Sequence, residues 1–258
     1  MTPILTTHQL SVGYGNGSPR VTLLQGLDLT LCQGEMVALL GKNGAGKSTL
    51  LRTITCDERP TAGTITIDGK DAATISQRQR SRLIGLVTTE QVHAGALTVA
   101  ELVALGRQPH TGFLGRLDAD DRNIVNQAMA DAGIAHKAQQ YVADLSDGER
   151  QKAMVAKALA QQTPIIILDE PTAFLDVASR IETMRLLQSL AHDRGKAVLL
   201  SSHDVSQSLL LADRLWLITA DRRMVTGTPA QLVQSGVMDQ LFDNPDIHFN
   251  PQLMDYSF

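Results

Sequence analysis

The stretch "ALLGKNGAGKSTLLRTIT", residues 38–55, restricts the fold of this chain more than any other. An apolar run enters a glycine-rich loop that leads into a helix-forming segment, and Gly41 to Ser48 matches the pattern G-x-x-x-x-G-K-[ST]. A strand with no polar face belongs inside a sheet covered on both sides, which calls for helical crossovers and an α/β fold. The loop also carries chemistry. Gly41, Gly44 and Gly46 let backbone N–H groups around Asn43 and Ala45 curl about a triphosphate, and the helix opening at Lys47, Ser48 and Thr49 adds its positive end. Lys47 supplies charge to the β- and γ-phosphates, and the Ser48 hydroxyl suits Mg²⁺.

A second apolar run, in "IIILDEPTAFLD" (residues 165–176), ends in two acids. It places Asp169 at the carboxyl end of a parallel strand, where open α/β sheets gather their ligands. Asp169 suits Mg²⁺, and Glu170 suits the orientation or deprotonation of an attacking water. His203 follows a third buried run, "AVLLSS", and so falls at the same edge, within reach of a γ-phosphate.

The remaining elements follow from periodicity and caps. The first eighty or so residues alternate short β-rich runs with turns, which predicts hairpins leaning on the buried strand. Thr98 with Glu101 forms a capping box for a helix that Gly106 ends, and Asp118 caps another that Gly133 stops. After Gln162, apolar runs alternate with helices, as parallel strands do. Thr228 caps a last helix with Pro229 in its first position. The expected organisation is one domain over 1–258: a β subdomain and nucleotide core from 1–83 and 161–228, a helical lobe at 84–160, and a closing helix with a tail at 229–258, irregular after Asp243.

Charge and apolar run length narrow the function. Lys and Arg number 23 against 27 Asp and Glu, so there is no basic footprint and no nucleic-acid partner is expected. No apolar run approaches the roughly 20 residues that cross a bilayer, and the amino terminus lacks a secretory pattern; the protein is expected to stay inside the cell. Cys32 and Cys56 have no metal-ligand spacing and are expected as small buried hydrophobes.

Four motifs in order, "GKNGAGKST", "LSDGE", "LDEPTAFLD" and "SSHD", make the chain resemble the nucleotide-binding subunits of ATP-binding cassette (ABC) transporters, from Tyr14 to about Gly227. The resemblance implies a P-loop NTPase core with a mostly parallel sheet, an N-terminal antiparallel β subdomain and an inserted α-helical lobe, using ATP and Mg²⁺. It implies that "LSDGE" is the family's signature loop: Ser146 and the amides of Asp147 and Gly148 form an anion site that closes on the γ-phosphate held by a second copy of the chain, in a head-to-tail homodimer. The sequence departs from the family's L-S-G-G-Q at Asp147 and Glu149. Asp147 opposes closure on a polyanion unless it points away or pairs with a base, and the favoured reading makes it a helix cap. Tyr14 matches the aromatic position that stacks on adenine, and Asp176 the loop that crosses the dimer interface. At the glutamine-loop position the alignment places Thr89, followed by Glu90 and Gln91; Gln91 is taken as the residue that completes the Mg²⁺ shell.

The resemblance further implies a two-copy membrane permease that docks near Glu90 to His110, with the chain held peripherally at the cytoplasmic face of the inner membrane. "LTVAELVALGRQPHTGFLGRL" is similar to the lobe segment of ATPases serving importers of iron-siderophore, haem and cobalamin, which also use a substrate-binding protein. Two other readings compete. An ATPase of this type acting on DNA or ribosomes is disfavoured by the single cassette, the absence of a long insertion between Lys47 and Ser146, and the acidic balance. A non-catalytic module gated by ATP is disfavoured by Glu170 and His203.

Overall fold

The computed structural model describes residues 2–14, 21–88, 96–112, 115–242, 244 and 246–257. Thr89, Glu90 and Gln91 lie outside the described residues. The chain runs β1 (Pro3–Tyr14), β2 (Val21–Leu27), β3 (Thr30–Cys32), β4 (Met36–Leu40), α1 (Lys47–Ile54), β5 (Ala62–Ile67), β6 (Lys70–Asp71), α2 (Gln77–Arg80) and β7 (Ile84–Val87). Three lobe helices follow, α3 (Val99–Ala104), α4 (Ala119–Asp131) and α5 (Asp147–Ala160). The second half alternates: β8 (Ile165–Leu168), α6 (Val177–His192), β9 (Ala197–Ser202), α7 (Val205–Leu211), β10 (Arg214–Ile218), β11 (Met224–Gly227), α8 (Pro229–Gln234), β12 (His248–Asn250) and β13 (Asp255–Ser257).

Six strands in the order β11-β10-β4-β9-β8-β7 form the larger sheet, parallel throughout except for the antiparallel edge strand β11. Every residue of β4, β8 and β9 is buried, as their unbroken apolar runs require. Alternate side chains leave the strands on opposite faces. Met36, Ala38 and Leu40 join Ile166 and Val198 in a core shared with the lobe helices, whereas Val37 and Leu39 join Ile165, Leu199 and Trp216 in a core shared with α1 and the N-terminal sheet. Each large apolar side chain buried this way contributes about 1.5–3 kcal/mol. Because the strands are parallel, the loops after β4, β8, β9 and β10 emerge at one edge. The smaller sheet, β2-β1-β5-β6 with β3 on β1, is antiparallel and leaves Tyr14 at the end of β1 opposite Val21.

Capping boxes start α3 at Thr98, α4 at Asp118 and α8 at Thr228, and Gly133 follows α4 with φ 70°. Gly106 does not end the lobe's first helix. The chain continues through it as a 3₁₀ turn, Leu105–Arg107, and Gly106 packs on the Lys157 carbonyl so closely that a Cβ would collide. The region from 84 to 160 opens with β7, a member of the core sheet, and its helices begin at Val99. The last helix is shorter than its sequence suggests: Gly236, at φ 71°, separates α8 from a 3₁₀ turn, Val237–Leu241. The tail after Asp243 is not irregular but forms the β12-β13 ribbon. It is pinned by Tyr256, whose hydroxyl donates to Met238 O at 2.6 Å and whose ring meets Phe242 and Phe249 edge-on. Burial pushes that phenol's pKa up. Cys32 and Cys56 are free thiols, half-buried rather than buried.

The segment "GRQPH" has a structural role that periodicity hides. Arg107 is buried; its guanidinium donates to Asp121 Oδ1 at 2.8 Å, to Ala160 O at 2.8 Å and to Gln162 Oε1 at 3.0 Å, while His110 Nε2 sits 2.9 Å from Gln161 O. These contacts tie α4 and the 3₁₀ turn to the carboxyl end of α5. Asp121→Ala is expected to lower stability by about 3 kcal/mol, because it orphans part of a buried guanidinium; thermal unfolding measures it. The Arg107 guanidinium holds the Asp121 carboxyl below the usual carboxylate range. That contribution is therefore fully present above the unfolded carboxylate's pKa and is lost as pH falls through the lower folded value.

Candidate functional site

At the carboxyl edge of the large sheet the β4-α1 loop wraps a cavity of about 390 Å³. Asn43, Gly44 and Gly46 line it from the loop, Lys47, Ser48 and Thr49 from α1, and Tyr14, Leu23, Glu170 and Arg222 from elsewhere in the chain. Gly44 and Gly46 have φ of 76° and 108°, a region open to glycine and costly for other residues. Gly46 occupies the N-cap of α1 and supplies no side-chain cap, so the first N–H groups of that helix stay available to an anion. Gly41 and Ala45 shape the loop without lining the cavity: Gly41 packs on Ile218, and Ala45 is buried. A larger cavity of about 610 Å³ lies between β2 and the β10-β11 turn and shares Leu23 and Arg222, but the glycine-rich loop and Glu170 face the smaller one.

Lys47 is 5% exposed and donates to Gly41 O at 2.8 Å, and its Nζ stands 3.5 Å from Glu170 Oε1. Glu170 in turn brings its other oxygen to 3.8 Å from Nδ1 of His203, a side chain left half-exposed on the far side. Thus the loop, β8 and β9 bring Lys47, Glu170 and His203 into one line of contacts, with His203 lining a neighbouring cavity and reaching this one through Glu170. Glu170 holds a left-handed φ of 47°, which a glutamate adopts only under constraint. Part of that constraint is Ser201, fully buried in β9. Its hydroxyl donates to Asp169 Oδ1 at 2.6 Å and accepts the Glu170 N–H at 2.8 Å, fixing both acids at once. The sequence reading missed Ser201. Its signal is a hydroxyl inside an apolar strand, since a buried hydroxyl needs a partner.

The "LSDGE" segment lies apart from this cavity; none of residues 145–149 lines it. Ser146 is the N-cap of α5, and Glu149 closes a capping box on it. The Ser146 hydroxyl accepts the Glu149 N–H at 3.3 Å and donates to Glu149 Oε2 at 3.1 Å. The Ser146 backbone N–H, with Lys137 3.1 Å from the other oxygen, holds the Glu149 carboxyl below its usual pKa. Asp147 is therefore not the cap. It occupies the first helical position and pairs with Arg150 at 2.7 Å, so each of the two unexpected acids meets a base. Gly148 packs on Ser179, whose N–H is accepted by Asp176, the N-cap of α6; that bond is the main cause of the lowered Asp176 pKa. Phe174, 87% exposed, and Val177, 68% exposed, flank Asp176.

The sequence matches the ABC transporter family profile over residues 24–173, more than half of the chain. The chain belongs to the ABC transporter family. As an ABC transporter ATPase it binds and hydrolyses ATP with Mg²⁺. It is 35% identical over 238 residues to the ferric enterobactin transport ATP-binding protein of Escherichia coli, covering 92% of this chain and 86% of that one. An inward-facing conformation of a putative metal-chelate type ABC transporter superposes with a TM-score of 0.82 at 26% identity, covering 99% of this chain and 96% of that chain. A dimeric bacterial ABC transporter cassette superposes with a TM-score of 0.72 at 27% identity, covering 83% and 93%. The expected P-loop NTPase fold of this ABC ATPase, with its antiparallel subdomain and inserted helical lobe, is the fold observed. No helix among its described residues is long and apolar enough to cross a membrane.

Proposed function

We propose that this ATPase energises the import of a metal chelate, an iron siderophore or haem, or of cobalamin, through a separate two-copy permease at the inner face of the membrane, with a substrate-binding protein delivering the cargo. The observation that carries the reading is the near full-length likeness to the metal-chelate type transporter, supported by the likeness to the enterobactin ATPase. Stimulation of ATP turnover by candidate chelates, with the purified permease and binding protein in vesicles, tests the assignment. If only substrates of another chemical class stimulate turnover, the cargo class is wrong.

In this reading Tyr14 stacks on adenine, the amides of the loop and Lys47 bind the phosphates, and Glu170 accepts a proton from the attacking water while His203 hydrogen-bonds the γ-phosphate. Ser48 and Asp169 would hold Mg²⁺. Both offer oxygen, the donor that Mg²⁺ prefers: Ser48 lines the cavity, and the Ser201 hydroxyl fixes the Asp169 carboxylate at the end of β8. Held there, the ion would supply positive charge to offset that of the triphosphate. The glutamine-loop assignment to Gln91 stays a proposal about residues outside those described.

Two copies pack head to tail, so that Ser146 of each meets the nucleotide of the other. The support is that none of residues 145–149 lines its own chain's cavity, together with the exposed apolar Phe174 and Val177 beside Asp176 and the dimeric relative. Pairing of Asp147 with Arg150 and of Glu149 with Lys137 lowers the electrostatic opposition to closure. Mixed dimers test this. Joining a Lys47→Ala chain to a Ser146→Ala chain should leave one intact composite site and measurable turnover, although each parent dimer is inactive. Were both residues to serve one chain's own site, the mixed dimer would be as inactive as its parents.

A further inference from the structure

Arg222 lines the nucleotide cavity, and nothing in the sequence motifs accounts for it. It sits in the turn between β10 and β11, at the carboxyl end of the strand that pairs with β4, so the turn emerges beside the glycine-rich loop. The turn is rigid. Arg222 N–H donates to Thr219 O at 2.9 Å, the Thr219 hydroxyl and the Arg223 guanidinium both bind the Asp221 carboxylate, and Arg223 N–H returns to Thr219 Oγ1 at 3.0 Å. Within this network Asp221 and Arg223 satisfy each other. The Arg222 guanidinium has no hydrogen bond or ion pair to any described residue, and the side chain is exposed. Its φ is 64°, a conformation that glycine takes freely and arginine takes at a cost. The left-handed φ belongs to the turn that joins β10 to β11; it is the unpaired guanidinium presented to a cavity that points to a ligand.

The position says which part of the ligand. Arg222 and Leu23 line both the nucleotide cavity and the larger cavity beside it, so they form the wall between the two. Leu23 packs against both the β1-β2 hairpin and Gly46 of the loop, so the sheet order decides the direction. β10 lies on the side of β4 opposite β9 and β8, whose ends carry His203 and Glu170, so the Arg222 turn stands away from the γ-phosphate end, on the side that receives the base. Tyr14 and Arg222 reach it from separate elements, the β1-β2 hairpin and the β10-β11 turn.

We propose that Arg222 completes the base subsite, laying its guanidinium plane on the adenine ring that Tyr14 stacks against. The proposal rests on the cavity being the ATP site. A guanidinium suits this task because it is planar, weakly hydrated and attracted to a π face, and an ammonium has only the charge.

Isothermal titration with Mg-ADP and with Mg-pyrophosphate separates base from phosphate, and neither ligand is turned over. Arg222→Gly is expected to weaken Mg-ADP binding about fivefold to thirtyfold, the range of one cation or stacking contact on a base, and to leave Mg-pyrophosphate binding unchanged. Arg222→Lys should lose most of the same affinity despite its charge. Neither variant should melt lower than the unmodified protein, because glycine relieves the left-handed backbone and lysine keeps the aliphatic stem. Unchanged Mg-ADP affinity in Arg222→Gly overturns the proposal and leaves the ATP site standing. Equal losses for both ligands overturn it in favour of a phosphate contact. Failure of the unmodified protein to bind Mg-ADP removes the ATP site itself, and this inference with it.

Discussion

Glu170→Gln is expected to hydrolyse ATP about a thousandfold more slowly than the unmodified chain, within the 10²–10⁴ range of a lost general base, without losing nucleotide affinity. Gln keeps the volume of Glu and its approach to Lys47 and His203, at 3.5 Å and 3.8 Å in the present arrangement, but it accepts no proton. The backbone posture is set independently of the side chain, by the Ser201 hydroxyl on the Glu170 N–H and by the left-handed φ, so the substitution should not displace the strand end. The loop amides and Lys47 remain to hold the triphosphate. Single-turnover release of phosphate measures the rate, and size-exclusion chromatography in Mg-ATP should show a persistent dimer, because the nucleotide that joins the copies is no longer consumed. Turnover at the unmodified rate would take the base role away from Glu170.

That prediction was reachable from the sequence because apolar runs dictate the sheet. "MVALL", "IIIL" and "AVLLSS" leave no polar face, so they must be interior parallel strands, and interior parallel strands bring their carboxyl ends to one edge. Lys47, Glu170 and His203 meet there for that reason alone. Local hydrogen bonding was legible too, where a cap and its third neighbour announce a helix start, as at Thr98, Asp118 and Thr228. What escaped was whatever depends on a partner remote in sequence. Gly106 reads locally as a stop, yet its place against the Lys157 carbonyl makes it a packing residue. Asp147 reads as a cap, but Ser146 takes the cap with Glu149 and leaves Asp147 to Arg150. The tail ribbon depends on Tyr256 reaching Met238, and Arg222 acquires its meaning only once β10 is paired with β4.

Lys47→Ala is expected to weaken Mg-ATP binding by about a hundredfold or more, corresponding to the roughly 3 kcal/mol lost when one partner of a buried charged contact is truncated. Lys47 is nearly inaccessible, and its ammonium already has two acceptors, the Gly41 carbonyl and the Glu170 carboxylate. It is thus pre-positioned at the phosphate end of the cavity, and little side-chain entropy is left to lose on binding. Removing it subtracts a positive charge where a polyanion must sit and leaves Glu170 facing that anion with His203, 3.8 Å away, as its remaining neighbour. The fold should tolerate the change better than the ligand does. Glu170 is partly exposed and can be rehydrated, while Gly44 and Gly46 set the loop's shape without help from the lysine. Titration calorimetry beside a melting curve separates the two effects: a hundredfold loss of affinity with a nearly unchanged melting temperature is the expected pair. Affinity within a few-fold of the unmodified chain would mean that loop amides and the α1 terminus hold the phosphates without the lysine. Lys47→Arg should also bind poorly, since the wider guanidinium fork does not fit the space that one ammonium fills. Together the substitutions divide the site by function, with loss of binding at Lys47 and loss of turnover at Glu170.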